Sequence, residues 1–165
     1  MRRIKRGFLS ALVVAALAAA LPTAYAADVV LDKETGAVKY SCVRGDKKIG
    51  LICVVVYTKA PYLGIQFGSE DDPESLAVTA GARRPTNSKL EIKVGKFASH
   101  AVFGEGFVGT EAEAIRFEIE NGSTATVSFE SDDTRIATHG DIDLKDFKSA
   151  LHEVEALRAI EDEKK

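Results

Sequence analysis

Two cysteines, Cys42 and Cys53, are the residues of this 165-residue chain whose type and spacing point most directly to chemistry. An isolated pair forms a disulfide in an oxidising compartment and remains as two buried thiols in a reducing one. A metal site is the weaker interpretation, because no further cysteine or nearby histidine completes a ligand set. The N-terminal segment indicates export, as argued below, so we expect a Cys42–Cys53 disulfide that closes a short loop.

Residues 104–109 spell G-x-G-x-x-G, with glycines at Gly104, Gly106 and Gly109. After a strand and before a helix, such glycines let the backbone approach the pyrophosphate of a dinucleotide. The chain lacks the further βαβ units of a nucleotide-binding sheet, and Glu111 and Glu113 would repel phosphate at the helix start. We therefore expect a glycine-rich bend and no cofactor.

His139, Asp141 and Asp143 place an imidazole near two carboxylates, a combination that can hold a metal ion. In the alternative interpretation, Asp141 or Asp143 caps the last helix and His139 ends a strand. The acidic loop 70–74 lacks the spaced ligands of a calcium loop, and no serine lies in G-x-S-x-G. The sequence thus predicts no catalytic residue and no metal site.

Residues 1–26 have the three parts of a cleavable signal peptide. A basic start is followed by an apolar run over 8–21, and Ala24-Tyr25-Ala26 supplies the small residues read by a signal peptidase. The apolar run is shorter than the ~20 residues that span a bilayer as a helix. We expect cleavage between Ala26 and Ala27, no membrane span in the mature chain, and a periplasmic or secreted protein.

Cleavage leaves 139 residues, enough for one domain with a real core. Because four basic residues leave with the signal peptide, Lys plus Arg falls from 22 to 18 against 25 acidic residues, and the net charge moves from −3 to about −7. Such a charge disfavours binding to nucleic acid through a basic patch.

The mature chain, residues 27–165, reads as a run of short strands, an internal helix, a strand pair and a last helix. Strands are predicted over 37–43, 49–57, 62–67, 75–80, 90–94, 97–103, 124–129 and 135–139, after a loose lead-in or short strand over 27–35. Thr110 and Glu113 have capping-box spacing for a helix over 110–121, with Ala112, Ile115 and Ile119 on one face. Phe117 lies off that stripe, which leaves a strand as the alternative. The pattern predicts a mainly β, α+β fold: a small antiparallel β-sandwich or barrel-like domain with an internal helix and a C-terminal amphipathic helix over 143–162.

The last helix has an apolar stripe long enough to extend beyond a 139-residue core. Its second half presents Val154, Leu157 and Ile160, which we interpret as a partner face or a contact with a second copy of the chain. The alternative is a helix docked along its whole length on its own sheet.

Three stretches of the mature chain resemble the invasion-associated locus B family of exported alphaproteobacterial proteins. Residues 38–42 followed by Cys53 resemble that family's aromatic-x-Cys … Cys hairpin. Residues 103–129 are similar to its Cys-x-x-x-Cys, helix, glycine and strand block, and residues 143–151 to its closing Leu-x-Gly-Phe-x-x-Ala-Leu signature. The resemblance implies a periplasmic or surface-associated β-rich protein, linked in pathogens to host-cell invasion, with no known catalytic residues.

The chain departs from that family at four positions. Phe103 and Phe107 stand where the family places its second disulfide, Tyr40 replaces a tryptophan, and Asp146 replaces a glycine. Apolar packing between the two phenylalanines would substitute for the covalent link. The resemblance therefore implies a divergent member without the second disulfide.

These features favour a non-enzymatic exported accessory protein that contacts another envelope or surface protein. Two alternatives belong to other classes: a small-ligand carrier or sensor with an apolar pocket, and an inhibitor of a cell-wall hydrolase. A pocket lined by Phe, Ile and Val would favour the carrier, and an exposed apolar patch would favour the partner protein.

Overall fold

The computed structural model describes residues 28–45, 50–59, 61–69, 72, 74–80, 89–104, 106–130 and 138–164. The predicted signal peptide, its cleavage site at Ala26 and Ala27, and most of the acidic loop 70–74 lie outside them. The described residues contain ten strands and two helices: β1 (Asp28–Thr35), β2 (Val38–Arg44), β3 (Leu51–Tyr57), β4 (Leu63–Phe67), β5 (Leu76–Ala80), β6 (Lys89–Val94), β7 (Ser99–Phe103), β8 (Phe107–Val108), α1 (Thr110–Asn121), β9 (Thr124–Glu130), β10 (Thr138–Asp143) and α2 (Lys145–Asp162).

The strands form two sheets whose described pairs are all antiparallel. The first sheet has the order β1-β2-β3-β4-β5-β8, and the second has the order β10-β9-β6-β7. Consecutive strands are neighbours across most of the first sheet, as short hairpin connections favour. The domain is a small, mainly β, sandwich-like α+β fold, which confirms the predicted fold class.

The two faces of the first sheet differ because successive side chains in a strand point to opposite sides. One row of paired residues crosses five strands on the inner face, and every member is buried: Tyr40, Val55, Ile65, Val78 and Phe107. Strand β3 is apolar on both faces, since Leu51, Cys53 and Val55 alternate with Ile52 and Val54. Its strong β-forming composition explains why this strand was readable from the sequence.

A single core joins both sheets and both helices. The second sheet contributes Leu90, Ile92, Val94, Ala125, Val127 and Ile142, all fully buried. Helix α1 adds Ala112, Ile115 and Ile119, the stripe expected from the sequence, while Phe117 lies off it and is exposed. Among the described residues, no helix has the length and apolar content needed to cross a membrane.

Helix α1 has the predicted bounds, but its N-terminal cap and the start of α2 differ from the prediction. The residue before α1 is Gly109, at φ 61°, and no side chain caps the helix, so the Thr110–Glu113 capping box does not form. Helix α2 begins at Lys145 instead of residue 143, with Leu144 as its N-cap. The Asp143 carboxylate still accepts a hydrogen bond from the Lys145 backbone N–H at 2.9 Å, which satisfies a free donor of the first turn.

Strand β10 lies later in the chain than the predicted strand over 135–139, most of which falls outside the described residues. It pairs with β9, so that Ile142 points into the core while Asp141 and Asp143 are exposed. Its Gly140 packs close to the loop before β4, where an added Cβ would lie 2.5 Å from Pro61 Cδ. Residues 141–143 therefore belong to a regular strand in which exposed and buried side chains alternate.

Candidate functional site

The cysteine pair lies directly across the β2–β3 hairpin. Cys42 and Cys53 occupy the same register position and are joined by a disulfide with an S–S distance of 2.04 Å. Both residues are fully buried in the core. The disulfide prediction is confirmed, and the buried bond links the two strands of the β2–β3 hairpin.

The predicted partner face on α2 is mostly used within the chain. Val154 is fully buried in the core and Leu157 packs against it, which leaves Ile160 exposed over 52% of its surface. The prediction is therefore wrong for Val154, because α2 lies along the inner face of the first sheet and its stripe covers β2 and β3. A lone exposed isoleucine is no basis for a partner face or a self-association surface.

Charged and phenolic side chains attach α2 to the same sheet. The Tyr40 hydroxyl donates a 2.8 Å hydrogen bond to Glu153 Oε2, and Lys33 pairs with the other oxygen of that carboxylate. About two turns further along α2, Arg44 donates to Glu161 at 3.0 Å. The Lys33 and Tyr40 donors hold the pKa of Glu153 below its usual value, and the same contact raises the pKa of Tyr40.

Two open clefts lie beside the helices. One, of about 380 Å³, runs between α1 and α2 and is lined mainly by charged side chains, including Glu113, Arg116, Glu155 and Arg158. Arg116 bridges the helices by donating to Glu120 at 2.7 Å and to Glu155 at 2.5 Å. The Arg158 guanidinium lies 5.2 Å from the centre of the Phe67 ring, and burial lowers its pKa.

The second cleft, of about 330 Å³, lies at the start of α2. Ser123, Lys145, Lys148, Ser149 and His152 line it together with Asp143. The Lys148 ammonium is already engaged by the Gly122 carbonyl at 2.8 Å. Neither described cleft has the Phe, Ile and Val lining expected of an apolar-ligand carrier.

His100 forms a contact that the sequence did not reveal. Its Nε2 lies 3.0 Å from Glu118 Oε1 and its Nδ1 lies 3.8 Å from Glu111 Oε1, so the imidazole joins β7 to one side of α1. The ring also meets Phe107 edge-on, with the centroids 6.4 Å apart. Alternation along β7, which sends His100 and Val102 inward, was the available signal, but it could not identify glutamates on a helix as partners.

The other oxygen of Glu118, Oε2, is buried and has no hydrogen-bond partner among the described residues. A carboxylate oxygen is a hydrogen-bond acceptor, and buried acceptors are usually paired. His100 lines neither of the two clefts described above. The arrangement serves to hold β7 against α1.

The glycine motif has a backbone role at each of its three glycines. Gly104 and Gly109 adopt φ values of 129° and 61°, in the region that side chains disfavour. Gly106 packs so closely against β5 that an added Cβ would lie 2.4 Å from the Val78 carbonyl oxygen. Between them, Phe107 and Val108 form strand β8, so the segment is a bend and an edge strand.

The two phenylalanines proposed to replace a disulfide do not pack together. Phe107 is buried in the core, whereas Phe103 is 75% exposed on the outer side of β7. Alternation explains the difference, because Phe103 pairs with Lys89 and points with it away from the core. That interpretation of the resemblance is wrong for Phe103.

Two of the three residues considered for a metal site are engaged in other contacts. Asp141 accepts a 2.6 Å hydrogen bond from the Thr126 hydroxyl, and Asp143 is engaged at the start of α2. The side chain of His139 lies outside the described set. Within the described ranges, no group of three or more His, Cys, Asp or Glu side chains is placed to hold a metal ion.

The outer face of the first sheet carries an apolar strip, which we call the outer strip. Val29 pairs with Val43 and Val43 with Ile52, while Val54, Gln66, Ala77 and Val108 follow one another across four strands. All the apolar members remain partly or largely exposed: Val29, Val43, Ile52, Val54, Ala77 and Val108. The α2 side chains meet the opposite face, so α2 does not cover the outer strip.

Comparison with known proteins returns no match: no family model, no curated protein and no solved structure is similar to the chain. The function is therefore argued from the chain's own residues and their placement.

Proposed function

We propose that this protein is an exported, non-enzymatic accessory protein that binds another envelope or surface protein through the outer strip. One observation supports this most strongly. Ile52, Val54 and Val43 are apolar side chains on the uncovered face of an antiparallel sheet, where polar residues normally alternate with the core. Apolar side chains kept at such positions are typical of a protein-binding surface.

Charged residues border the outer strip on the β1 side. Asp32 pairs with Ser41, Glu34 pairs with Lys39, and Lys39 lies 4.0 Å from the Asp32 carboxylate. An apolar centre with a charged rim matches the usual anatomy of a protein interface, in which the rim confers specificity and the centre affinity.

The proposed compartment is the periplasm or the outer surface. The predicted signal peptide supports it, and so does the buried Cys42–Cys53 disulfide, because such bonds persist in oxidising compartments. The resemblance to the invasion-associated locus B family suggests a contact made in the bacterial envelope or with a host cell. A cell-wall hydrolase is one partner of this kind, which would make the protein an inhibitor.

Cross-linking in intact envelope, followed by affinity capture, tests the proposal with two matched variants. Val54→Lys adds a charge at the centre of the outer strip, and Phe117→Lys adds the same charge at an exposed apolar position on α1. We expect a specific partner with the wild type and with Phe117→Lys, and at least a tenfold loss with Val54→Lys. Equal capture by both variants, with unchanged circular dichroism and melting temperature, would contradict the role of the outer strip.

A further inference from the structure

Strand β7 lies at one end of the second sheet, with β6 as its neighbour among the described strands. An edge strand leaves half of its backbone N–H and C=O groups free of the ladder, and these groups can pair with another strand. Residues Ser99, Ala101 and Phe103 are exposed on its outer side, and Phe103 is the most exposed large apolar residue described. This edge is therefore open both to hydrogen bonding and to apolar contact.

Strand β7 contains no Asp, Glu, Lys or Arg, whereas the longer edge strands β1 and β10 do. Strand β1 carries Asp28, Asp32, Lys33 and Glu34, and β10 carries Asp141 and Asp143. Strand β8 has two residues, too few to template a partner. Charged or very short edge strands are the ordinary protection against pairing with another chain, and β7 has neither protection in its sequence Ser-His-Ala-Val-Phe.

The strand is also held in place before any partner arrives. His100 is bound to Glu118 at 3.0 Å and meets the Phe107 ring, and Val102 packs against the core. Five register pairs attach β7 to β6. A fixed edge loses little conformational entropy on pairing, which favours association.

We propose that β7 pairs antiparallel with β7 of a second copy of this chain, about a two-fold axis at Ala101. The axis places Ala101 opposite its own copy and Phe103 opposite Ser99 of the partner, and it joins two four-stranded sheets into one of eight strands. No Asp, Glu, Lys or Arg then faces another across the seam. The predicted mature chain carries a net charge of about −7, so two copies repel wherever charged surfaces meet, and this edge brings no charged side chains together.

The seam is small. Two five-residue strands bury well under the ~1,000 Å² of a stable interface, so the dimer is weak and forms at high local concentration. We expect a dissociation constant between about 10 µM and about 1 mM. This inference does not rest on the proposed partner function, since the outer strip belongs to the other sheet.

Sedimentation velocity of the purified mature chain across that concentration range, with the melting temperature recorded for each variant, provides the test. Ala101→Lys and Ala101→Glu each place like charges directly opposite one another across the seam, while the side chain stays on an exposed face of the monomer. Each variant alone should raise the dissociation constant at least tenfold. An equimolar mixture of the two should restore the dimer, because the opposed charges then attract.

Ile160→Lys is the control, since it adds a charge at an exposed site on α2, the helix that packs on β2 and β3 of the other sheet. It should associate like the wild type. A wild-type chain that stays monomeric at about 1 mM would overturn the proposal, because even weak specific contacts associate at that concentration. A dimer that survives in both Ala101 variants would equally overturn it and place the interface on another surface.

Discussion

Tyr40 on β2 donates a 2.8 Å hydrogen bond to Glu153 on α2, and this contact joins the second strand to the last helix. Tyr40 is buried, so Tyr40→Phe removes one hydrogen bond without opening a cavity. We expect the free energy of unfolding to fall by about 1 kcal/mol, measured by urea denaturation. Tyr57→Phe is the control, because the described residues show no hydrogen bond to its hydroxyl, and an equal loss there would contradict the assignment.

The Glu153 carboxylate makes the free energy of unfolding depend on pH in the acidic range. Lys33 and then Tyr40 hold the pKa of Glu153 below its usual value, so the folded state favours its charged form. That stability is present above the unfolded pKa and is lost as the pH falls through the lower folded pKa. The difference in urea midpoint between the wild type and Glu153→Gln should therefore be largest near neutral pH and shrink below about pH 4.5.

The acid experiment has a matched control in Glu34→Gln, which changes an exposed carboxylate of β1. Its midpoint should run parallel to that of the wild type over the whole pH range. A Glu153→Gln curve that also runs parallel to the wild type would contradict a role for this carboxylate in acid sensitivity.

Val154 and Ile160 are two of the three residues of the predicted partner face on α2, and replacing each by alanine should affect stability to very different degrees. Val154 is fully buried, and Val154→Ala should destabilise the domain by about 2 kcal/mol through lost burial and a residual cavity. Ile160 is half exposed, and Ile160→Ala should change stability by less than about 0.5 kcal/mol. Comparable losses in thermal or urea unfolding would show that α2 is not docked as described.

The disulfide should account for a large share of the stability. It closes a loop with a sequence separation of 11, for which the chain-entropy model gives about 3 kcal/mol. Replacing both Cys42 and Cys53 by alanine should cost that amount or more, since two buried side chains are also lost. Thiol labelling of the unfolded, unreduced protein should find no free thiol, and labelling of both cysteines would contradict the bond.

Gly106 offers a test of the glycine motif as a packing device. A Cβ at this position would overlap the Val78 carbonyl oxygen of β5, and the backbone would have to move. Gly106→Ala should destabilise by about 1–3 kcal/mol, as overpacking does, whereas Gly95→Ala, at a positive φ in open space, should cost about 1 kcal/mol. A smaller loss at Gly106 than at Gly95 in urea unfolding would contradict this role.

Strong local patterns explain which parts of the fold were predictable. Strand β3 consists almost entirely of β-forming residues, and α2 repeats its apolar side chains along one face. Both elements could therefore be predicted from their local sequence alone. Strand β8 was missed because two residues between glycines give no periodic signal. The Thr110–Glu113 capping box failed because Gly109, at positive φ, already ends the preceding strand and begins the helix.

Local sequence patterns could not predict the contacts between segments that lie far apart in the chain. Nothing near His100 in the chain specifies Glu118, because a helix and a strand must first pack before the pair can form. Val154 and Ile160 share an apolar stripe, but only the position of the sheet edge decides that one is buried and the other exposed. The outer strip likewise emerges from register, which aligns apolar residues of separate strands into a single surface.

Helix α2 follows all ten described strands in the chain, yet it packs on β2 and β3, which precede it by about a hundred positions. Lys33 on β1 and Glu153 on α2, which form an ion pair, are separated by 120 positions. A chain in which α2 has not yet docked therefore exposes the apolar inner side of β2 and β3 and is prone to aggregation. Docking of α2, rather than formation of either early hairpin, is the step that protects this domain from association through its own core.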